Sequence, residues 1–404
     1  MLGPYTTRAL LALSLFATTL PGSAAGAADE AAPAALRIGF LSVAVKQPAP
    51  EPYLDPPPAD EGVAGARLGI DDDNTTGRFT GQQFALEEEM VPAEGDVAAG
   101  FRRLVGSGIR LVVTDLPKAA LLAIADLPDA KDVLLLDAGT EDDELRAEKC
   151  RANVLHTLPS RAMLADGLVQ YLVAKQWRRV LLVVGPTEAD GAYAAAVKRA
   201  ITKFQAKLVD EKPWTYQPGA RRSDTGHYSI AAEVARFTQG ISYDVLVVAD
   251  EDDEFGDYLS YATTDPRPVA GTHGLVAGAW ARPHQEWGAT QLQDRFLHRA
   301  KRWMTDRDYA AWLAVRAAGE GATRAQSVEP AKLTTYMRSD KFELGGYKGL
   351  PLSFRPWDGQ MRQAILLYDS RALVSVSPQP GFLHQFSTLD TLGLDRPESK
   401  CHLP

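Results

Sequence analysis

RAMLADGLVQYLVAKQWRRVLLVV, residues 161–184, holds in one stretch the two patterns on which the fold turns. Residues 161–175 read as a helix, and RVLLVV at 179–184 is a short, uninterrupted apolar run rich in Val and Leu. A strand that alternates apolar with polar residues has one face in water. One that is apolar throughout is covered on both faces, as in a parallel sheet flanked by helices. The same kind of run returns as IRLVVT at 109–114, DVLLLD at 132–137 and DVLVVA at 244–249. Helical patterns are predicted between such runs at 61–72, 95–105, 118–125, 189–204 and 230–237. The order strand–helix–strand, repeated along the chain, predicts the α/β class.

Further strands are expected at 36–45, 84–91, 207–214 and 269–275, with a short helix near 255–261. Two longer helices follow at 287–302 and 306–323, then a β-hairpin formed by 364–368 and 372–376. A single hydrophobic core rarely grows past about 250–300 residues, so 404 residues imply two lobes. The expected division is 36–153 with 284–335 in lobe 1, 154–283 with 336–390 in lobe 2, and 391–404 as a C-terminal tail. The Pro-rich stretch 47–59 is expected to be a loop after the first strand.

Arg8, the apolar run ALLALSLFATTL at 9–20 and the small residues at 22–28 read as a secretory signal over 1–28. Twelve apolar residues are too few to span a bilayer, which needs about 20, so no membrane insertion is expected. A net charge of −9 argues against general binding to nucleic acid. Cys150 and Cys401 are the two cysteines, and an even pair in an oxidising compartment predicts a disulfide, two separate thiols being the alternative.

Open parallel sheets bind ligands beyond the carboxyl ends of their strands. Read that way, lobe 1 offers Lys46, Asp115, Lys118, Thr140 and Glu141, and lobe 2 offers Thr187, Asp190, Tyr193, Asp250 and Glu251. The segment GAWARPHQEWG at 278–288 adds Trp280, Arg282, His284 and Trp287 where the chain is expected to return to lobe 1. An indole supplies a stacking face and a guanidinium a two-pronged carboxylate clamp. The sequence has no phosphate loop, no nucleophile elbow and no HExxH, so neither catalytic residues nor a metal site is expected.

LRIGFLSV at 36–43 followed by GIDDDNTTGRFTGQQFALEEEMV at 69–91 resembles the opening of type I periplasmic binding proteins of the branched-chain amino acid transporter class. A narrower resemblance is to the substrate-binding proteins encoded with alcohol dehydrogenase systems that depend on pyrroloquinoline quinone (PQQ). It is carried by residues 150–172, by WGATQLQDRF at 287–296, by DYAAWLAVRAAGE at 308–320, by LSFRPWDGQMRQ at 352–363, and by 374–385 with 389–399. The resemblance implies two Rossmann-like lobes joined by three crossovers, with a ligand held between them and no intrinsic cofactor. It implies a periplasmic protein that captures PQQ or a related anionic aromatic molecule for an ABC transporter permease or a PQQ dehydrogenase. A branched-chain amino acid or an alcohol-oxidation product is the alternative ligand. By function class, the alternatives are a hydrolase with a carboxylate pair and a non-binding accessory subunit. Amino-acid binders of the class carry small hydroxyl-bearing residues after the third and fourth strands, where this chain has Asp115-Leu116-Pro117 and Ala138-Gly139-Thr140. For a tricarboxylate such as PQQ the expected partners are Lys118, Arg161 and Arg282, with Trp280 as the stacking face.

Overall fold

The computed structural model describes residues 34–44, 58–214, 230–260 and 262–403. The signal at 1–28, Lys46 and residues 47–57 of the Pro-rich stretch lie outside the described residues. The first sheet contains β1 (Ala34–Val43), β2 (Gln82–Val91), β3 (Leu111–Asp115), β4 (Leu134–Asp137) and β5 (Val154–His156). Its order is β2-β1-β3-β4-β5 and every pairing is parallel. β3 and β4 are the apolar runs IRLVVT and DVLLLD, and Leu111, Val112, Val113, Leu135 and Leu136 are fully buried. The helices between these strands are α1 (Val63–Thr80), α2 (Val97–Gly106) and α3 (Lys118–Ala125).

The chain crosses to the second lobe through Thr157–Ser160 and starts α4 (Arg161–Ala174), where Ser160 caps the backbone N–H of Met163. α4 is apolar on almost every side because it is covered on almost every side. The second sheet takes β6 (Arg179–Val184), β7 (Lys207–Pro213), β8 (Val245–Ala249), β9 (Val269–Gly271) and β10 (Leu275–Gly278), with α5 (Glu188–Lys203) and α6 (Ile230–Thr238) among them. The run expected as one strand over 269–275 is broken in two. Gly271 has φ 115° and Gly274 φ 76°, and a Cβ on Gly271 would stand 2.2 Å from the Val248 carbonyl oxygen. Only glycine tolerates that combination. The helix expected near 255–261 is a single tight turn at Gly256–Leu259.

The chain then returns to the first lobe through residues 279–288. It adds α7 (Ala289–Ala300), α8 (Asp306–Ala325), α9 (Pro330–Met337) and a small sheet of β11 (Leu344–Gly345), β12 (Pro351–Phe354) and β13 (Met361–Arg362). A third crossing at Gln363–Ala364 leads to the hairpin of β14 (Ile365–Tyr368) and β15 (Leu373–Ser377), which completes the second sheet as β15-β14-β10-β9-β8-β6-β7.

These crossings correct the expected division. β5 pairs with β4, so 154–156 belongs to lobe 1 and not lobe 2. Ala279 and Trp280 already sit in the lobe 1 core. So do Met337, Phe342, Leu344, Leu352, Phe354 and Met361, which places 336–362 in lobe 1 rather than lobe 2. Met163 to Ala277 together with Ile365, Leu367 and Leu392 supply the lobe 2 core. The three crossings are wired to one another. Gln363 Nε2 donates to the Thr157 carbonyl at 2.7 Å, and Lys348 Nζ donates to Gln363 Oε1 at 2.8 Å and to the Ala364 carbonyl at 3.0 Å. Asp306 receives the backbone N–H groups of Ala279 and Trp280 at 2.9 and 2.8 Å.

The C-terminal tail lies against both lobes. Arg355, fully buried in lobe 1, donates to Asp390 and to the carbonyls of Leu389 and Leu392. On the lobe 2 side Lys203 and Arg199 pair with Glu398. Cys401 then forms a disulfide with Cys150 of lobe 1. No described helix is long and apolar enough to cross a membrane.

Candidate functional site

A cavity of about 900 Å³ opens between the lobes, lined from both sides. It lies where the carboxyl ends of the parallel strands of the two sheets meet, and the N-termini of α3, α4, α5 and α8 all border it. Buried aspartates shape its rim by accepting backbone N–H groups that would otherwise be orphaned. In lobe 1, Asp137 accepts from Gly139 and Thr140 while its other oxygen meets His156 Nδ1 at 2.7 Å. Burial keeps that imidazole well below its usual range, near a pKa of about 4. In lobe 2, Asp190 closes a capping box with Thr187 and also accepts from the Glu251 N–H at 2.7 Å. Asp250 accepts from Glu254, Phe255 and Gly256. α8 opens with a second capping box, Thr305 with Asp308.

Seven of the residues expected from sequence line this cavity: Lys118, Thr140, Glu141, Arg161, Tyr193, Asp250 and Glu251. Lys118 reaches Asp142 at 3.1 Å and Glu144 at 3.6 Å; its hydrogen bond to Asp142 holds its pKa above the usual value. Arg161 makes a two-pronged bond to Glu251, both contacts at 2.6 Å, and stands 3.7 Å from Asp142 across the lobes. Burial opposes its charge, but the hydrogen bond and charge of Glu251 outweigh that and raise its pKa. Tyr193 is only 4% exposed, lines the cavity from α5, and its hydroxyl bonds to none of the described residues. Burial, then the nearby Glu251 and Glu141, push its phenol upward.

The other expected residues lie elsewhere. Asp115 is one step behind the cavity, 3.6 Å from the lining residue Arg307, with its carboxyl raised to about 6 by burial against that guanidinium's pull. Trp280 is a core residue rather than a stacking platform. It is 2% exposed, lies 4.7 Å from the Tyr309 ring and nearly parallel to it, and donates from Nε1 to Gln293 at 2.7 Å. His284 is buried with Nε2 at 2.7 Å from the Tyr347 carbonyl oxygen. Arg282 is exposed, lies 4.0 Å over the Trp303 ring, and borders a separate depression with Arg371. The reason is common to all three: the crossing at 279–288 turns into lobe 1, away from the cavity.

Sequence reasoning missed Asp306, Arg307 and Tyr368, which reach the cavity from the start of α8 and the end of β14. The capping-box spacing from Thr305 to Asp308 was the available signal for a helix beginning there. Glu141 follows β4 as the strand-end rule expects, and its surroundings set it apart. Among the described residues its carboxylate has no hydrogen-bond or ion-pair partner. Burial, then repulsion from Glu251, raise it to about 7, with Arg161 opposing and Asp306 adding to the repulsion.

Residues 57–228 match a family model described as a periplasmic binding protein. No curated protein matches the chain in sequence. Among solved structures, a periplasmic binding protein from Burkholderia mallei is 14% identical with a TM-score of 0.63, over 91% of this chain and 99% of that one. An ABC transporter substrate-binding protein from Desulfitobacterium hafniense in complex with Leu is 16% identical with a TM-score of 0.63, over 83% of this chain and 98% of that one. A solute-binding protein from R. palustris in complex with benzoate is 12% identical with a TM-score of 0.63, over 91% and 100%. At such identities what is shared is the fold, the two-lobed α/β architecture of type I periplasmic binding proteins.

Proposed function

We propose that this protein is a periplasmic solute-binding protein that captures one small molecule between its lobes and releases it unchanged to the permease of an ABC transporter. The observation that carries this reading is the cavity of about 900 Å³ bordered by strand ends and helix N-termini of both lobes. That volume suits a small-molecule site, and hinge rotation of two lobes is the ordinary way such a site closes. The match of residues 57–228 to periplasmic binding proteins supports the same compartment and role.

The ligand implied by the narrower resemblance, PQQ, carries three carboxylates. The cavity's described lining holds three cations, Lys118, Arg161 and Arg307, against nine carboxylates, and each of the three cations already faces a carboxylate. The chemistry of the cleft therefore disfavours a polyanion, and with it delivery to a PQQ dehydrogenase. The hydrolase alternative wants a working acid pair. The two carboxylates that press on Glu141 are committed, Glu251 to Arg161 and Asp306 to backbone N–H groups.

The test is to purify the protein from a secreting host, release its contents by denaturation, and identify the solute by mass spectrometry. The refolded or ligand-stripped protein is then titrated calorimetrically with that solute, with PQQ and with leucine. One solute bound per chain and recovered unaltered is expected. Turnover of the solute, or no binding of any compound at millimolar concentration, sinks the reading.

A further inference from the structure

Three features of the cleft converge on one chemical class of ligand. The first is charge. Nine carboxylates against three cations leave a formal balance of −6 in the described lining. The four helix N-termini pull the other way, each worth about half a positive charge, or roughly two together. The balance stays negative, so the field inside the cleft attracts cations.

The second is unmet hydrogen-bonding capacity. Most lining carboxylates have partners: Asp143 accepts from the Ala162 N–H, Asp253 meets His273, and Asp250 and Asp306 hold backbone. Glu141, half-buried at the cavity wall, has none among the described residues, and an unpaired carboxylate in such a place is costly. Tyr193, 4% exposed, lines the same cavity, and its hydroxyl has no partner among the described residues. The third is the position of Tyr368. A Cβ on Gly278 would stand 2.9 Å from Asp306 Oδ2 and 3.1 Å from the Tyr368 hydroxyl, so that acid and that ring meet at the cavity wall. Carboxylate with tyrosine, electron-rich faces beside negative charge, is what binds an ammonium group.

Resting on the solute-binding reading above, we propose that the cleft takes an organic cation, a small molecule with a protonated amine and no carboxylate of its own, whose nitrogen docks on Glu141 beside Tyr193 and Tyr368. The ligand's ammonium supplies the donor that Glu141 lacks. Arg161 and Lys118, held by Glu251 and Asp142, then serve to fix those acids in place rather than to receive an anion.

The experiment uses the full chain and a panel of matched amines and carboxylates of two to ten carbons, including 1,4-diaminobutane, phenethylamine and 3-phenylpropionate, with leucine and PQQ. Thermal stabilisation ranks the panel and calorimetry gives Kd for the best members. Amines are expected to lead, with Kd rising at least about tenfold in Glu141→Gln, the loss of one charge-assisted bond. Their affinity should also fall between pH 7.5 and pH 5 as Glu141 takes up a proton. Glu141→Gln removes a half-buried charge that no described residue pairs, and is expected to fold at least as well as the parent. Tyr193→Phe provides a second variant, with a smaller loss expected. Carboxylates binding more tightly than their matched amines, or amine affinity unchanged in Glu141→Gln, overturns the proposal and leaves the solute-binding reading standing. Stabilisation by no member of any class brings down both.

Discussion

The Trp280 wall and the Glu141 cleft are built from similarly eye-catching residues and obey opposite rules. Along the wall, Trp280, Tyr309 and Trp312 stack in sequence, with ring centres 4.7 and 5.9 Å apart. Every polar atom on the three rings is matched: Trp280 to Gln293, Tyr309 to the Gly346 carbonyl and Trp312 to Asp72. Nothing there is left for a ligand to do. In the cleft, Tyr193 is nearly as enclosed and Glu141 half-buried, and neither is matched among the described residues. A saturated buried group stabilises the fold, whereas an unsaturated one facing a cavity costs stability until something fills it. Saturation, and not residue type, separates structure from site.

That contrast breaks most readily at Trp280. Trp280→Ala is expected to cost about 3–5 kcal/mol of stability, the usual price of a large core truncation, while leaving solute affinity of the folded protein unchanged. Denaturant unfolding and calorimetry on one sample decide it; full stability with lost binding would move Trp280 into the site.

Cys401→Ser comes next, with an expected loss of about 2–4 kcal/mol from a bond that closes a long loop. Thermal unfolding of the variant, and of the parent with and without reductant, measures it, and an unchanged midpoint would mean the tail adds nothing.

Arg161→Ala sharpens the comparison because Arg161 lines the cleft yet is saturated. Removing it strands Glu251, at an expected cost of about 1–3 kcal/mol. If the cleft serves a cation, affinity for an amine should hold or improve; if it serves a polyanion, affinity for PQQ should drop at least about tenfold. The two signs are opposite, so one titration of each ligand suffices.

The smallest effect is in pH dependence. Glu141 has its carboxyl raised to about 7 in the folded chain, against about 4.3 for an unperturbed glutamate. An acid raised on folding keeps its proton longer in the native state, so it favours folding at low pH, and stability falls as pH climbs through that window. Other buried acids, such as Asp115, act in the same direction, and His156 acts against them. The informative quantity is therefore the difference between parent and Glu141→Gln. The parent should lose on the order of 1 kcal/mol more than the variant between pH 4.5 and 7. Parallel stability–pH curves would show that Glu141 is open to water and paired in solution.

Much of the fold was legible because its signals are local and repeated. RVLLVV became β6 over the same six residues, and the helix expected at 118–125 is α3. The lobe boundaries were less legible, since β11 and β13 are two residues each, too short for any periodicity to emerge. Lys118, Tyr193 and Glu141 follow from their places just past a strand end or near the start of the next helix, a positional rule that rests on sheet geometry, whereas Arg161 enters only as a cation for a polyanionic ligand. The case for Trp280, Arg282 and His284 rests on side-chain chemistry at a chain crossing. No sequence pattern states toward which lobe a crossing faces, and here it faces lobe 1. Asp306 and Tyr368 come to the cleft from far past β8 in the chain, a convergence visible only in three dimensions.

The disulfide makes the molecule a linkage with a stop. Two bodies joined by three neighbouring hinges keep a bend as their free motion, and its amplitude is ordinarily set by collisions. Here a strap also crosses the gap. Glu398 is fastened to Lys203 and Arg199 on one body, while Ser399 donates to the Arg146 carbonyl and Cys401 is bonded to Cys150 on the other. From Glu398 to Cys401 the chain reaches no more than about 11 Å when drawn out. The excursion of the jaws is thus capped by a tether's length, and cutting the strap at Cys401 would lengthen the stroke without altering either jaw.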